Sequence, residues 1–221
     1  MEYKLVRSKR KTLTISISDG EVTVKAPLRM GIAHIEEFIA QKSAWIQKKL
    51  DEYARKTDIM SGVIDGSQAM YHGAFLSVVR SDKHKRIALT QDALFVPAKY
   101  EDKKKADSAI AAWYKRTASV ELERELKETA ERIGHKYLSF ATTNARTKWG
   151  SCDGNGNIRL NWRLVMLDDG LRTYVIIHEL AHTLHHNHSS AFWNEVKKYF
   201  PSYAAAKKRL KTFSVLTSLY R

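Results

Sequence analysis

A single cysteine, Cys152, stands among the 221 residues, so no intrachain disulfide can form. That usage fits a reducing compartment. Long apolar runs are also missing. No stretch approaches the ~18 apolar residues of a membrane-spanning helix. The N-terminal MEYKLVRSKRKTLTISIS has no apolar core of a secretory signal. The expectation is a cytoplasmic protein that does not enter a membrane. Prolines are scarce: Pro27, Pro97 and Pro201 are the only three, and each falls at an expected element boundary. No internal repeat or low-complexity tract occurs.

Acidic side chains are the other shortage. Lys and Arg number 38 against 24 Asp and Glu, a formal net charge of +14. The excess is spread evenly, with 17 against 11 in residues 1–100 and 21 against 13 in residues 101–221. An even spread reads as a solvated basic surface, but it keeps phosphate-bearing substrates and nucleic acid in view as partners. Arg7-Ser8-Lys9-Arg10-Lys11 is the densest basic run, fit either to touch phosphate or simply to lead into a solvated strand. Hydrophobic residues make up 43%. The length supports one large domain or two small ones.

Periodicity predicts an α+β fold. Residues 1–100 form a strand-rich N-terminal region with one long helix, and residues 101–221 a mainly helical region with a small sheet. Leu13, Ile15 and Ile17 alternate with polar residues, Asp19-Gly20 follows, and Val22 and Val24 resume the alternation, which predicts a hairpin. Ile35, Ile39, Ile46, Leu50 and Tyr53 predict a helix over about 32–55. Short strands are expected at 75–79, 87–89 and 94–96. A long helix is expected over 107–133, stopped by Gly134. A strand over 157–162 and helices over 171–186, 191–200 and 204–210 complete the reading, with Ser189 or Ser190 as N-cap of the second of these helices.

The chemistry concentrates in Tyr174-Val175-Ile176-Ile177-His178-Glu179-Leu180-Ala181-His182. Histidines at i and i+4 project from one helix face one turn apart. Both rings can then reach one ion at the ~2.0–2.1 Å that zinc requires. Glu179 lies about 100° round the helix, free to take a proton from a water at the metal. This is the HExxH arrangement. Ile176, Ile177, Leu180 and Leu184 form an apolar stripe away from the histidines.

Three residues compete as third ligand. His185 falls on the same face but about 10.5 Å along the axis from His178, too far to share the ion. A useful histidine must come from chain that has left the helix. Asn187 suits a left-handed helix end, after which His188 turns back toward the metal. Glu195 on the next helix is the other alternative. A catalytic site would keep its fourth position for water.

Arg146-Thr147-Lys148-Trp149-Gly150-Ser151-Cys152 precedes the turn Asp153–Gly156. This loop is expected either to wall the site, with Arg146 or Lys148 meeting a substrate carboxylate or phosphate, or to bury Trp149 in the core. Cys152 reads as a buried thiol. The strand over 157–162 is a candidate to lie beside the metal helix and receive an extended peptide. His34, His72, His84 and His135 are scattered and are assigned no role.

Taken together, these motifs resemble the YgjP-like metallopeptidases, a bacterial family related to the SprT-like and WLM zincin groups. The resemblance rests on Arg7–Lys11 before an alternating strand, Trp45-Ile46, Lys148–Cys152, Gly156–Ile158 with Leu160-Asn161, His178–His182, Asn187–Ser189 and Phe192-Trp193. It departs in having Lys148 where the family more often has Arg, and Asp168-Asp169 where a Pro is usual. It implies one zinc ion on His178, His182 and His188, Glu179 as general base, and a zincin-like helical core. The leading expectation is hydrolysis of a peptide or protein substrate, with Arg146, Trp149 and Tyr174 as candidate substrate contacts and Tyr174 or Arg146 as oxyanion donor. A zinc-dependent nucleotide phosphoanhydride hydrolase is the alternative, and a non-catalytic zinc-containing nucleic-acid-binding module the third.

Overall fold

The computed structural model describes residues 1–220. The fold is α+β, with strands prominent early and helices late. The chain forms two compact units, Met1–Ser61 and the remainder from Gly62 onward. The division at residue 100 drawn from the sequence follows composition; the compact units part between residues 61 and 62. Among the described residues, no helix is long and apolar enough to cross a membrane.

In the first unit, β1 (Lys4–Ser8), β2 (Thr14–Ser18) and β3 (Glu21–Pro27) form a sheet in the order β1-β3-β2. The Asp19-Gly20 hairpin forms as expected, with both residues at positive φ. The parallel pairing of β1 with β3 leaves no mark in the local pattern. Instead of one helix there are two, α1 (Ile32–Gln41) and α2 (Ser43–Ile59), broken at Lys42, where φ is −100° and ψ 4°. Val22, Val24 and Ala26 pack with Ile35, Ile39 and Ile46 as the core. The Arg7 guanidinium donates to the carbonyls of Pro27, Leu28 and Met30, so this member of the basic run is tied to its own chain.

Helix α3 (Ser61–Asp65) starts at the unit boundary, and the second unit continues with β4 (Gln68–Tyr71), β5 (Ala74–Ser81), β6 (Ala88–Leu89) and β7 (Ala93–Pro97), a sheet in the order β4-β5-β7-β6. Next comes α4 (Lys103–Ile133), whose N-cap Asp102 accepts from the Lys105 amide at 2.7 Å. Its buried stripe includes Ile110, Tyr114, Ala118, Leu122, Leu126 and Ala130, at the three-to-four spacing of one helix face. Gly134 ends it in the left-handed conformation, φ 73°.

The three strands β8 (Ser139–Thr143), β9 (Gly150–Cys152) and β10 (Asn157–Asn161) form a small sheet in the order β8-β10-β9. A fully buried 3-10 turn, Trp162–Met166, follows β10 and packs on α4. Then come α5 (Asp169–Ala181), α6 (Ser190–Tyr199) and α7 (Tyr203–Leu210). Helix α5 packs against α4, α6, α7, β9 and β10. Its N-terminus is anchored by buried Arg172, which donates to the Leu167 carbonyl, Glu125 and Asp169.

Two expectations for α5 are corrected. The helix stops at Ala181, not near His186. Its last carbonyls are taken by tight-turn bonds from the amides of His182, Thr183 and Leu184, and the Thr183 hydroxyl donates to Leu180 at 2.7 Å. With the helix ended, Leu184 leaves the apolar stripe and is 56% exposed.

At Gly134 an added Cβ would meet nothing within 4 Å, so Gly134→Ala carries only the left-handed backbone cost. We expect a loss of folding stability of about 1 kcal/mol, partly recovered by Gly134→Asn. Urea denaturation measures both, and an alanine variant as stable as the wild type would contradict this account of the helix end.

Candidate metal centre

Helix α5 carries His178 and His182 one turn apart, while Val175, Ile176, Ile177 and Leu180 are buried in the core. Eight residues beyond the helix end, Ser189 caps α6, its hydroxyl accepting from the Phe192 amide. His188 sits immediately before that cap. One ring nitrogen from each of His178, His182 and His188 lies within 4.8 Å of the other two. Nε2 of His178 and Nε2 of His188 are 3.1 Å apart. Ligands at ~2.0–2.1 Å around a tetrahedral ion stand roughly 3.3 Å from one another. The donor set therefore fits such an ion.

The tautomers fit as well. Nδ1 of His182 lies 2.9 Å from the His185 carbonyl. A carbonyl can only accept, so the proton sits on Nδ1 and the Nε2 lone pair is free. Burial, then the neighbouring His182, His188 and Lys207, push His178 down to about 3. Burial is also the main cause lowering His182. Both rings are therefore neutral near neutrality and can donate lone pairs. Nδ1 of His178 is a buried nitrogen with no hydrogen-bond partner among the described residues.

An aromatic floor supports the triad. The Phe192 ring is fully buried, with its centroid 4.9, 4.4 and 4.8 Å from those of His178, His182 and His188. Trp193 stacks beside His188 and against Tyr203, and the Lys207 ammonium lies 4.2 Å from the Trp193 ring centre. Phe192 and Trp193 follow the Ser189 cap, so their placement comes with that of His188.

Beside the triad, Glu179 is 5% exposed. Burial raises its carboxyl to about 8, with Lys148 pulling the other way. These residues line a cleft of about 440 Å³, whose opposite wall is Lys148, Trp149 and the three residues of β9. Tyr174 also lines it, with its ring centroid 5.9 Å from that of His178. Arg146 is not among the lining residues; its carbonyl accepts from Thr217.

The Lys148–Cys152 segment thus walls the cleft, and Trp149 is half-buried there rather than in the core. Buried Asn161 fixes the loop by donating to the carbonyls of Ala145 and Lys148. β10 packs on α5 as expected, but it is central, flanked by β8 and β9, and the strand that lines the cleft is β9. The Cys152 thiol is half-buried, and burial pushes it up to about 11. Glu195 stands apart from the triad, its carboxylate 2.9 Å from Nε2 of His135, whose Nδ1 faces the Leu180 carbonyl at 3.2 Å. The sequence reading gave His135 no role. No local signal marks it, because its partners are 45 and 60 residues away.

A family model described as YgjP-like, metallopeptidase domain, matches residues 11–213. The chain is similar to the crystal structure of the Pyrococcus abyssi metallopeptidase zymogen abylysin, at 27% identity and TM-score 0.38 over 41% of this chain and 92% of that one. It is also similar to that of the Methanocaldococcus jannaschii zymogen jannalysin, at 25% identity and TM-score 0.37 over 43% and 97%. No curated protein matches.

The raised Glu179 carboxyl sets a pH dependence for protein stripped of metal. An unfolded glutamic acid releases its proton near 4.5, the buried one near 8. The folded state binds the extra proton between these values, so stability is lost as pH rises through them. Glu179→Gln is neutral throughout. It should match the wild type below pH 4.5 and become progressively more stable than it between pH 4.5 and 8. Parallel stability profiles in a denaturation series would contradict a desolvated carboxyl.

Proposed function

The chain belongs to the YgjP-like metallopeptidase family, and from that premise we propose that it hydrolyses peptide bonds with one zinc ion held by His178, His182 and His188 and with Glu179 as general base. The observation that carries the reading is the convergence of three imidazole nitrogens in one cleft with a desolvated carboxyl beside them. Zinc is the metal we infer, because a donor set of three imidazoles suits it. When bound, it would supply Lewis-acid chemistry, polarising the scissile carbonyl and lowering the pKa of water toward ~7.

The remaining steps fall to the chain. Glu179 takes the proton of the attacking water and passes it to the leaving amine. A carboxyl raised to about 8 without metal would be drawn down by a nearby cation, so the ionised base is supplied in the loaded site. Tyr174 is our candidate donor to the developing oxyanion. Burial raises its phenol to about 12, so it keeps its proton over the working range. Arg146, outside the cleft lining, is the weaker assignment for that donor and for substrate contact. Trp149 offers an apolar wall to a substrate side chain. β9 is paired on one side by β10 and forms the edge of its sheet, so an extended peptide can run along it. Among the lining residues Lys148 is the one ammonium, beside aromatic and small side chains. Such a lining suits a peptide better than a polyphosphate.

The test is hydrolysis by zinc-loaded protein of a panel of unstructured peptides and nucleoside triphosphates. Peptide cleavage should fall by at least ~10²-fold in Glu179→Gln, with zinc still bound. His188→Ala should weaken zinc binding in a chelator competition. Glu179-dependent release of phosphate with peptides left intact would transfer the site to phosphoanhydride chemistry. Unchanged zinc affinity in His188→Ala would remove His188 from the ligand set.

A further inference from the structure

Glu179 has no hydrogen bond to hold its carboxylate: among the described residues, the influences on it are burial and the charge of Lys148. A general base nevertheless has to meet the proton it removes within hydrogen-bond reach. Its position must therefore come from packing. The side chain projects from α5 toward β9, the strand that walls the cleft.

The packing partner is the backbone of Gly150. A Cβ built on Gly150 would lie 2.6 Å from Oε1 of Glu179, 2.7 Å from its Cγ and 2.8 Å from its Cδ. No atom can be that close, so the glutamate occupies the space that a side chain at residue 150 would fill. Gly150 is an ordinary strand residue paired opposite Leu160, and its φ lies outside the left-handed range. The backbone there would accept alanine, so conformational freedom does not explain the glycine. Gly154, four residues on, is the contrasting case: an added Cβ would meet nothing within 4 Å.

We infer that Gly150 is a positioning residue for hydrolysis, its missing side chain forming the seat of the Glu179 carboxylate. This rests on the general-base reading of Glu179. A methyl group at residue 150 would drive the far end of Glu179 away by most of an ångström. The clashing atoms, Oε1, Cγ and Cδ, all belong to the Glu179 side chain and none is backbone, so the shift falls on that side chain. Metal binding tolerates it, since no imidazole lies among the three nearest atoms. What is lost is the aim of the carboxylate at its water, and misplacement on this scale costs roughly 10²-fold in rate.

The experiment compares wild type, Gly150→Ala, Gly154→Ala and Glu179→Gln, all loaded with zinc, on one cleaved peptide. Gly150→Ala should lose roughly 10²-fold in kcat, with KM and chelator-measured zinc affinity unchanged, while Gly154→Ala keeps wild-type turnover. A crystal structure of the metal-free Gly150→Ala protein should show the Glu179 carboxylate displaced. A second background guards against a variant that fails to fold. Glu179→Asp withdraws the carboxylate by one methylene, so adding Gly150→Ala to it should change kcat by less than about threefold, breaking the additivity of independent sites. Wild-type kcat in Gly150→Ala, an unmoved carboxylate, or a full loss repeated in the Glu179→Asp background would each overturn the inference. Wild-type turnover that survives Glu179→Gln would instead remove the general-base reading itself.

Discussion

Helix α5 must do two incompatible things, and the second unit is arranged around that constraint. One face has to be dry enough to lock the helix in place. The other has to leave imidazoles in a cleft. Burying Val175, Ile176, Ile177 and Leu180 at roughly 1.5–3 kcal/mol per large aliphatic side chain fixes the helix between α4 and the small sheet. Arg172 would be costly on that buried side were it unpaired, but Glu125, Asp169 and the Leu167 carbonyl take its donors. His178 and His182 are therefore carried on a rigid support, the condition for holding ligands at defined separations.

The same burial sets the charge states. Desolvation disfavours every ionised form, so it moves bases and acids in opposite directions. In this cleft it lowers His178 and His182 and raises Glu179, Cys152 and Tyr174. Neutral imidazoles are what a cation needs, and a neutral phenol is what an oxyanion needs. On the proposed reading, the raised carboxyl is the one group whose charge state a bound cation would change. Desolvation by burial is the largest cause of each of these shifts, and the fully buried Phe192 ring against all three imidazoles is part of what excludes water from His178 and His182.

Legibility in the sequence tracked the range of the forces. The Asp19-Gly20 hairpin, the Gly134 helix stop and the Ser189 cap depend on a few adjacent residues, and each forms as expected. The i, i+4 histidines were readable because a helix fixes their separation. The break at Lys42 was hidden, since Ile35, Ile39 and Ile46 keep an unbroken helical period across it. The parallel pairing of β1 with β3, the central place of β10 and the His135–Glu195 contact are long-range. A local pattern does not encode which strand becomes the neighbour. Gly150 is the sharpest case: nothing local separates it from any other strand residue, and only the Glu179 side chain, brought against it from α5, sets it apart.

The chain path to His188 differs in kind from the sequence expectation, although it reaches the same residue. A left-handed reversal at Asn187 was expected, but positive φ among the described non-glycine residues occurs only at Asp19, His72 and Tyr220. The helix instead ends five residues earlier than expected, through tight-turn bonds after Ala181. Chain 182–188 then returns to the site without a residue at positive φ. Two side chains hold this return. Nδ1 of His182 donates to the His185 carbonyl, and the Asn187 side chain accepts from the Ser189 amide. The first bond serves twice. It bends the chain toward His188, and it leaves the His182 lone pair on Nε2. Loss of that bond would disturb the tautomer of one proposed ligand and the approach of another together, so the path of the loop and the chemistry of the donor set form one constraint.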